Sequence, residues 1–296
     1  MVKVKDILYA YSFVLPALII IGIFILVPVV NGVILALQNV YLIVARPLAF
    51  VGLQNFVTLF GDEVFWIAAV NTLIWTVVGT ALTMLLGIFL GLVLNVEFKL
   101  TWLVRGLMLL PWILPDVVVA TEWKWMLNTE MGIANQMLVN VGIIHKISDI
   151  QWLSSPNLAL LTTILIQVWR LSPLVGLLVL ATLQGIPREH YEAAEVDGAS
   201  SANKLIHITL PNLLYVVIFG TLLTMIWLFN SFGIVFISTE GGPIHATEIF
   251  ATLIYKICFQ DYKLSVGAAL GTINFIVLFV ISVAYLLVIR RRWGLR

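Results

Sequence analysis

The sequence predicts an all-α, polytopic membrane protein with six transmembrane helices and a helix–Gly–helix loop on the cytoplasmic side. Three observations carry that expectation. Of 296 residues, 61% are apolar and 10% charged, against about 45–50% and about 25% in an ordinary soluble domain. The mean hydropathy is +1.08, and the apolar residues gather in long runs free of charge. One stretch, residues 186–211, is instead polar and helix-forming. This composition excludes a water-soluble, fibrous or disordered chain. Sixteen basic against fifteen acidic residues give a net charge of +1, so no basic surface points to nucleic acid. The single cysteine, Cys258, has no partner for an intrachain disulfide or a structural zinc site.

The spans follow in order, each longer than the about 20 residues that cross a bilayer. Ala10–Leu37 is span one. Lys3 and Lys5 before it suit a signal peptide, but its 28 residues exceed the about 7–15 of such an apolar core, so a retained span is expected. Ile67–Val96 is span two. Leu103–Leu127 is span three, interrupted by Pro111, Pro115, Asp116, Glu122 and Lys124. Leu158–Gln184 is span four and contains Arg170. Leu213–Ser238 and Leu264–Ile289 are spans five and six.

Lys and Arg counts set the orientation. Ten basic residues (Lys3, Lys5, Lys99, Arg105, Arg188, Lys204, Arg290, Arg291, Arg292, Arg296) share the side of both termini, and four (Arg46, Lys146, Lys256, Lys263) lie opposite. Both termini are therefore expected in the cytoplasm, with the loops at 95–102 and 185–212. The loops at 38–66, 128–157 and 239–263 are expected outside. Gly79, Thr83, Gly87 and Gly91 make a small-residue face on span two, and Gly267 and Gly271 repeat the spacing on span six. Such faces let helix backbones approach closely. Static packing is the expected use, a sliding or subunit interface the alternative.

Within the cytoplasmic loop, Pro187 suits the first position of a helix, and Arg188–Val196 follows as a helix too short to span. Asp197-Gly198 breaks it, because Gly tolerates the left-handed conformation that ends helices. A second helical piece runs through Lys204 to His207, and Pro211 marks the start of span five. Ala193, Ala194 and Ala199 interleave with Glu189, Glu192, Glu195 and Asp197. Small residues with a few acids make a docking knob rather than a catalytic site.

Glu192-Ala193-Ala194, three residues, Gly198, nine residues, then Ile208 and Leu210-Pro211 match the EAA motif, the cytoplasmic loop signature of binding-protein-dependent ABC importer permeases. The chain resembles that family over about residues 10–290. Thr239-Glu240-Gly241-Gly242-Pro243, followed by Thr247 and Ile254-Tyr255, resembles the T-x-G-G-P signature of its sugar-specific branch, akin to maltose and glycerol-phosphate permeases. Trp123, Trp125, Met126, Gly132 and Asn135 resemble the W-x-W-M…G-x-x-N stretch of the same branch. Departures are Gly233, where many relatives carry an Asp, and the acids Asp116 and Glu122.

The resemblance implies a type I ABC importer permease fold. It divides the chain into residues 1–66 (N-terminal segment, first span and outer loop), a transmembrane core at 67–289 containing the coupling loop 185–212, and a basic tail at 290–296. It further implies a multi-pass subunit of the cytoplasmic membrane, surrounded by lipid, that translocates a carbohydrate. The implied partners are a second homologous permease subunit, two ATP-binding cassette subunits and an extracytoplasmic solute-binding protein. ATP and Mg would be bound by the cassette subunits, with no cofactor in this chain. Glu192, Ala193, Ala194, Asp197 and Gly198 would couple it to the ATPase.

The chain lacks a G-x-x-x-x-G-K-[ST] phosphate loop, and no hydrolase or zinc motif is present. His145, His190, His207 and His245 are dispersed among loops and read as surface residues. One alternative is an ion-coupled secondary transporter using Asp116, Glu122 and Arg170 as a relay, although no internal repeat of the kind such transporters carry is visible. The other is a membrane enzyme acting on lipid, which lacks a recognisable catalytic set.

Sugars are held by aromatic faces together with amide and carboxyl groups. Gln167 and Trp169 on span four, and Trp227, Asn230 and Phe232 on span five, are the candidates. Asn71, near the outer end of span two, is another. Interfacial anchoring or packing is the competing role for the tryptophans. Asp116 lies 13 residues from Leu103, and Arg170 lies 14 residues before Gln184. On straight helices both would rise about 20 Å from the cytoplasmic end, so they either pair or face one aqueous pathway, pairing being favoured. Glu122 is expected to be solvated or near Lys124.

Overall fold

The structure, a computed structural model, describes residues 4–43, 49–96 and 99–293, with side chains for 11–43, 49–96 and 99–291. Lys3, Arg46 and Arg296, used above for orientation, lie outside the described residues, as do the side chains of Lys5 and Arg292. The described residues are nearly all helical, and their one β-bridge joins Gln38 to Phe50.

The helices are α1 (Val4–Ile21), α2 (Val27–Ala36), α3 (Gln54–Phe60), α4 (Glu63–Leu94), α5 (Thr101–Met108), α6 (Leu110–Ile113), α7 (Asp116–Met126), α8 (Ile133–Asn140), α9 (Ala159–Gln184), α10 (Arg188–Val196), α11 (Ser201–Lys204), α12 (Leu210–Phe229), α13 (Gly233–Thr239), α14 (Phe250–Tyr255) and α15 (Leu264–Trp293). Among the described residues, five continuous helical stretches are long and apolar enough to cross a membrane: Tyr11–Ala36, Glu63–Leu94, Ala159–Gln184, Ser201–Phe229 and Leu264–Arg291. A sixth crossing requires Thr101–Ile113 and Asp116–Met126 to be counted together, across a 94° bend.

That bend falls at one of the interruptions expected in span three, Pro115, and divides the span into separate helices. Pro115 forces the residue before it out of the helical region, and Leu114 is accordingly extended, with φ −65° and ψ 137°. Pro115 itself has ψ 147°, and the chain becomes helical again at Asp116. Span five is also not one helix to Ser238. It stops at Phe229, and α13 begins at Gly233 after a short non-helical break. Asn230, expected within the span, sits at this end. Its amide donates to Ile226 O at 2.9 Å, the side-chain-to-backbone competition by which Asn weakens helices.

At the other end of span five Pro211 stands at the start of the span's α-helix, as expected, but helical structure continues upstream of it. It lies in the first turn of α12, where its missing N–H costs nothing. A π turn at Leu205–Thr209 joins α11 to α12, so Ser201–Phe229 runs as one helical stretch. Pro187 is the N-cap of α10 rather than its first residue.

The chain forms two compact units, Met1–Phe65 with Leu253–Val277 and Trp66–Thr252 with Leu278–Arg296. In the first, Asn55 Nδ2 donates to Ala36 O at 2.7 Å and Gln38 O at 2.8 Å, fixing the turn after α2. Cys258 is buried against Gly267, where a Cβ would collide with its sulfur. The second unit holds the main core. Trp75, fully buried, donates its indole N–H to Leu228 O at 3.0 Å and packs with Val119, Ile164, Ile166, Leu171 and Ile234. A second cluster of Met84, Val175, Val179, Leu183 and Leu213 reaches Tyr191 of α10.

The small-residue face of α4 serves packing within the chain. A Cβ on Gly87 would lie 2.5 Å from Val175 Cβ, and one on Gly91 would lie 2.5 Å from Val179 Cγ1 and 2.9 Å from Gly176 O. Gly91→Val should therefore destabilise by about 1–3 kcal/mol through overpacking. Gly271→Ala, where a Cβ meets nothing within 4 Å, should be neutral or slightly stabilising. Thermal unfolding of the two variants in detergent checks the contrast, and equal shifts would refute it.

Candidate functional site

The two helix breaks share a cavity of about 520 Å³ in the second unit, lined by Trp112, Asp116, Gln167, Arg170, Trp227, Asn230, Phe232 and Gly233 among others. Proline explains its first wall. By ending α6 and restarting the helix at Asp116, the Leu114–Pro115 corner puts a carboxylate at the first position of α7. Asp116 Oδ1 lies 2.8 Å from Arg170 Nη2, and Arg170 Nε donates to Leu114 O at 3.4 Å. The side chains are 34% and 18% exposed, so the pair borders the cavity rather than lying sealed beneath it. A lone charge at the bilayer centre costs at least about 2.5–3.5 kcal/mol, and the pairing offsets part of that cost for each partner. Span three is not the straight rod on which Asp116 and Arg170 would share a depth by equal rise. It is the bend, and not a shared rise along two rods, that presents Asp116 to Arg170.

Gly233 explains how the carboxylate fits. A Cβ there would stand 2.6 Å from Asp116 Oδ2 and 2.7 Å from Asp116 Cβ. The space that a side chain at 233 would need is taken by Asp116. Gln167 is 3% exposed, and its Oε1 has no hydrogen-bond partner among the described residues. Trp227 is 46% exposed. Phe232 stacks on Phe236 with ring centroids 4.7 Å apart.

Four of the five expected pathway residues, Gln167, Trp227, Asn230 and Phe232, thus line one cavity with Asp116 and Arg170. Trp169 is not among the lining residues. It packs edge-to-face on Trp123, with centroids 5.5 Å apart. Glu122 is exposed, and Lys124 Nζ donates to Ile237 O at 3.2 Å. Trp112 and Gly233 were missed as wall residues, although the prolines flanking Trp112 mark where a helix must open.

The Thr239–Pro243 segment is a knot. Glu240 and Gly241 have φ of +53° and +82°. Thr247 Oγ1 donates to Gly242 O at 2.8 Å and lies 2.6 Å from Thr239 Oγ1. Asn71 is corrected from a pathway candidate to a clamp on this knot, its amide donating to His245 O at 3.1 Å and Ala246 O at 3.2 Å. His245 is likewise more than a surface residue. It lies 3.3 Å from Glu248 Oε2, and Glu248 is fully buried, with Oε1 accepting from Thr252 Oγ1 at 2.7 Å. Nothing in the sequence separates Glu248 from a solvated loop acid. Its burial follows from Gly241, where a Cβ would fall 2.5 Å from the carboxylate.

A second loop knot is built on Asn135, fully buried. It donates to Ile147 O and Ile150 O and accepts from Trp152 Nε1 at 2.6 Å. Beside it, the backbone N–H of Lys146 holds the Asp149 carboxyl below the usual carboxylate range, aided by the N–H of His145.

The α10 loop is held to the second unit and displayed by it. Tyr191 packs in the lower cluster, with its hydroxyl 3.1 Å from Thr209 Oγ1, and Lys204 pairs with Glu195. Glu192, Ala193, Asp197 and Gly198 are exposed, and Val196 is 89% exposed. Gly198 has φ +74°. Its N–H bonds Glu195 O at 3.0 Å while Ala199 N–H bonds Ala194 O at 2.8 Å, the two bonds of a Schellman motif.

Two broken spans around a polar, aromatic-lined cavity, with a displayed helix–Gly–helix knob, define a polytopic membrane permease component. The family model described as binding-protein-dependent transport system inner membrane component matches residues 83–294, and the chain belongs to that family. It is 33% identical over 294 residues to the trehalose/maltose transport system permease protein of Thermococcus litoralis, covering 98% of this chain and 96% of that one. It is 31% identical over 287 residues to the sulfoquinovosyl glycerol transport system permease protein of Agrobacterium fabrum, covering 97% and 92%. A chain from the crystal structure of a bacterial ABC transporter involved in the import of the acidic polysaccharide alginate matches with a TM-score of 0.83 over 98% of both chains, at 24% identity. The fold is that of the type I ABC importer permeases.

Gly241 and Gly142 both have positive φ, but a Cβ on Gly142 meets nothing within 4 Å. Gly142→Ala should cost about 1–2 kcal/mol from backbone strain alone. Gly241→Ala should cost clearly more, because it also displaces a buried carboxylate. Paired unfolding curves test this, and equal losses would show that Glu248 does not fill the space over Gly241.

Proposed function

We propose that this chain is one of two permease subunits of an ATP-driven importer that carries a carbohydrate across the cytoplasmic membrane. The single observation that carries the sugar reading is the cavity, which joins indole faces to a buried amide and a carboxylate. The relatives' names support it, since they are permeases of trehalose/maltose and sulfoquinovosyl glycerol systems. Both termini lie in the cytoplasm in this reading. A solute-binding protein delivers the sugar from outside, and two ATP-binding cassette subunits bind ATP and Mg and supply the power. This chain has no ATPase site of its own.

Coupling runs through α10, where Glu192, Ala193, Ala194, Asp197 and Gly198 dock in a cleft of the ATPase subunit. An exposed Val196 amid small residues supports that role, because apolar surface at a polar loop fits a partner's groove. The ion-coupled alternative needs Asp116 free to exchange a proton or cation, and its contact with Arg170 argues against that use.

Gly198→Val should lose binding-protein-stimulated ATPase activity and uptake while inserting in the membrane at normal levels. A β-branched residue at φ +74° opposes the left-handed turn that sets the knob's outline. Normal stimulated ATPase activity in this variant would refute the docking assignment.

A further inference from the structure

We propose that the cavity selects uncharged sugars, and that Asp116 is the residue that sets this preference by cancelling Arg170. The proposal rests on the reading of the cavity as the sugar pathway. An arginine alone in such a wall would favour a carboxylate, sulfonate or phosphate, whose oxygens fit its planar fork. Here Nη2 faces Asp116 Oδ1 at 2.8 Å and Nε donates to Leu114 O at 3.4 Å. The wall carries one charge of each sign and a net charge of zero.

A buried amide lies in the same wall. Gln167 is 3% exposed, and its Oε1 has no partner among the described residues. An unpaired buried acceptor costs about 1–3 kcal/mol and is satisfied only by a donor. Asp116 is also an acceptor. Sugar hydroxyls donate to the Asp116 carboxylate, whereas an ionised acidic substituent only accepts and would meet that charge. Gly233 is the condition for this arrangement, since any Cβ there would fall 2.6 Å from Asp116 Oδ2 and push the carboxylate off Arg170.

The test uses the co-purified complex in nanodiscs, without the solute-binding protein, so that the permease's own preference is read. Methyl α-glucoside and methyl α-glucuronide share a ring and differ only in a C6 hydroxymethyl or carboxylate group. Saturation-transfer NMR compares their binding. The wild-type complex should favour the glucoside by at least about tenfold, the scale of one uncompensated charge in a partly wet site. Asp116→Asn should shift the ratio toward the glucuronide by about tenfold or more, and Arg170→Gln should shift it the other way. The uncharged pair Asp116→Asn with Arg170→Gln should keep the wild-type preference, which guards against single variants that fail to fold. Equal binding of both glycosides, a glucuronide preference in the wild type, or an unchanged ratio in a folded Asp116→Asn complex overturns the proposal and leaves the sugar pathway standing. Binding of neither glycoside to the wild type overturns both.

Discussion

The contact between Asp116 and Arg170 is the constraint around which the second unit is arranged. Neither charge is cheap in a membrane-spanning helix, so each must have a partner or water. Meeting that requirement takes three separate concessions from the backbone. Proline turns the chain at Leu114 so that Asp116 begins a helix. Gly233 gives up its side chain to make room for the carboxylate. Span five stops at Phe229 and resumes at Gly233. Each concession would weaken an isolated span, and together they leave a polar space inside an apolar bundle.

Around that space the apolar packing is conventional for lipid-embedded helices. Small residues on α4 let α9 approach closely enough for Val175 and Val179 to lie on glycine backbone. The Trp75 indole closes its own polar group against Leu228 O. The loops reach the same end by different chemistry, with Asn71, Asn135 and Thr247 each satisfying backbone carbonyls of loop segments. Buried carbonyls in irregular segments must find donors, and short amide and hydroxyl side chains supply them here without adding charge.

What could be read from the sequence divides along physical lines. Long charge-free runs locate spans one, two, four and six to within a few residues, because hydropathy is a sum over many side chains and tolerates local error. Span five, expected at Leu213–Ser238, runs instead from Ser201 to Phe229. The α10 boundaries and the Gly198 turn were legible because the signals of a helix end are local. The bend at Pro115 was signalled by its prolines, yet its size depends on where α7 packs, which no local pattern carries. The break after Phe229 had only an Asn-Ser pair to announce it. Asn71 clamps a loop and Trp169 packs on Trp123, placements the sequence does not carry because an amide or indole reads alike whether it faces a cavity or clamps a neighbour. Gly233 stood out only as a departure from the family pattern and Glu248 not at all, since their roles depend on a distant residue filling the space beside them.

The continuous stretch from Ser201 to Phe229 has a mechanical meaning. At about 1.5 Å per residue it is a rod of about 40 Å. Its near end adjoins the Gly198 corner, where Lys204 is tied to Glu195. Its far end is Asn230, in the cavity wall. No loop intervenes between the knob and the cavity wall, and the π turn at Leu205–Thr209 is taken up within the helical stretch. The strut joins the two ends of the unit by continuous helix, and the break beyond Phe229 is the first place where that helical backbone is interrupted.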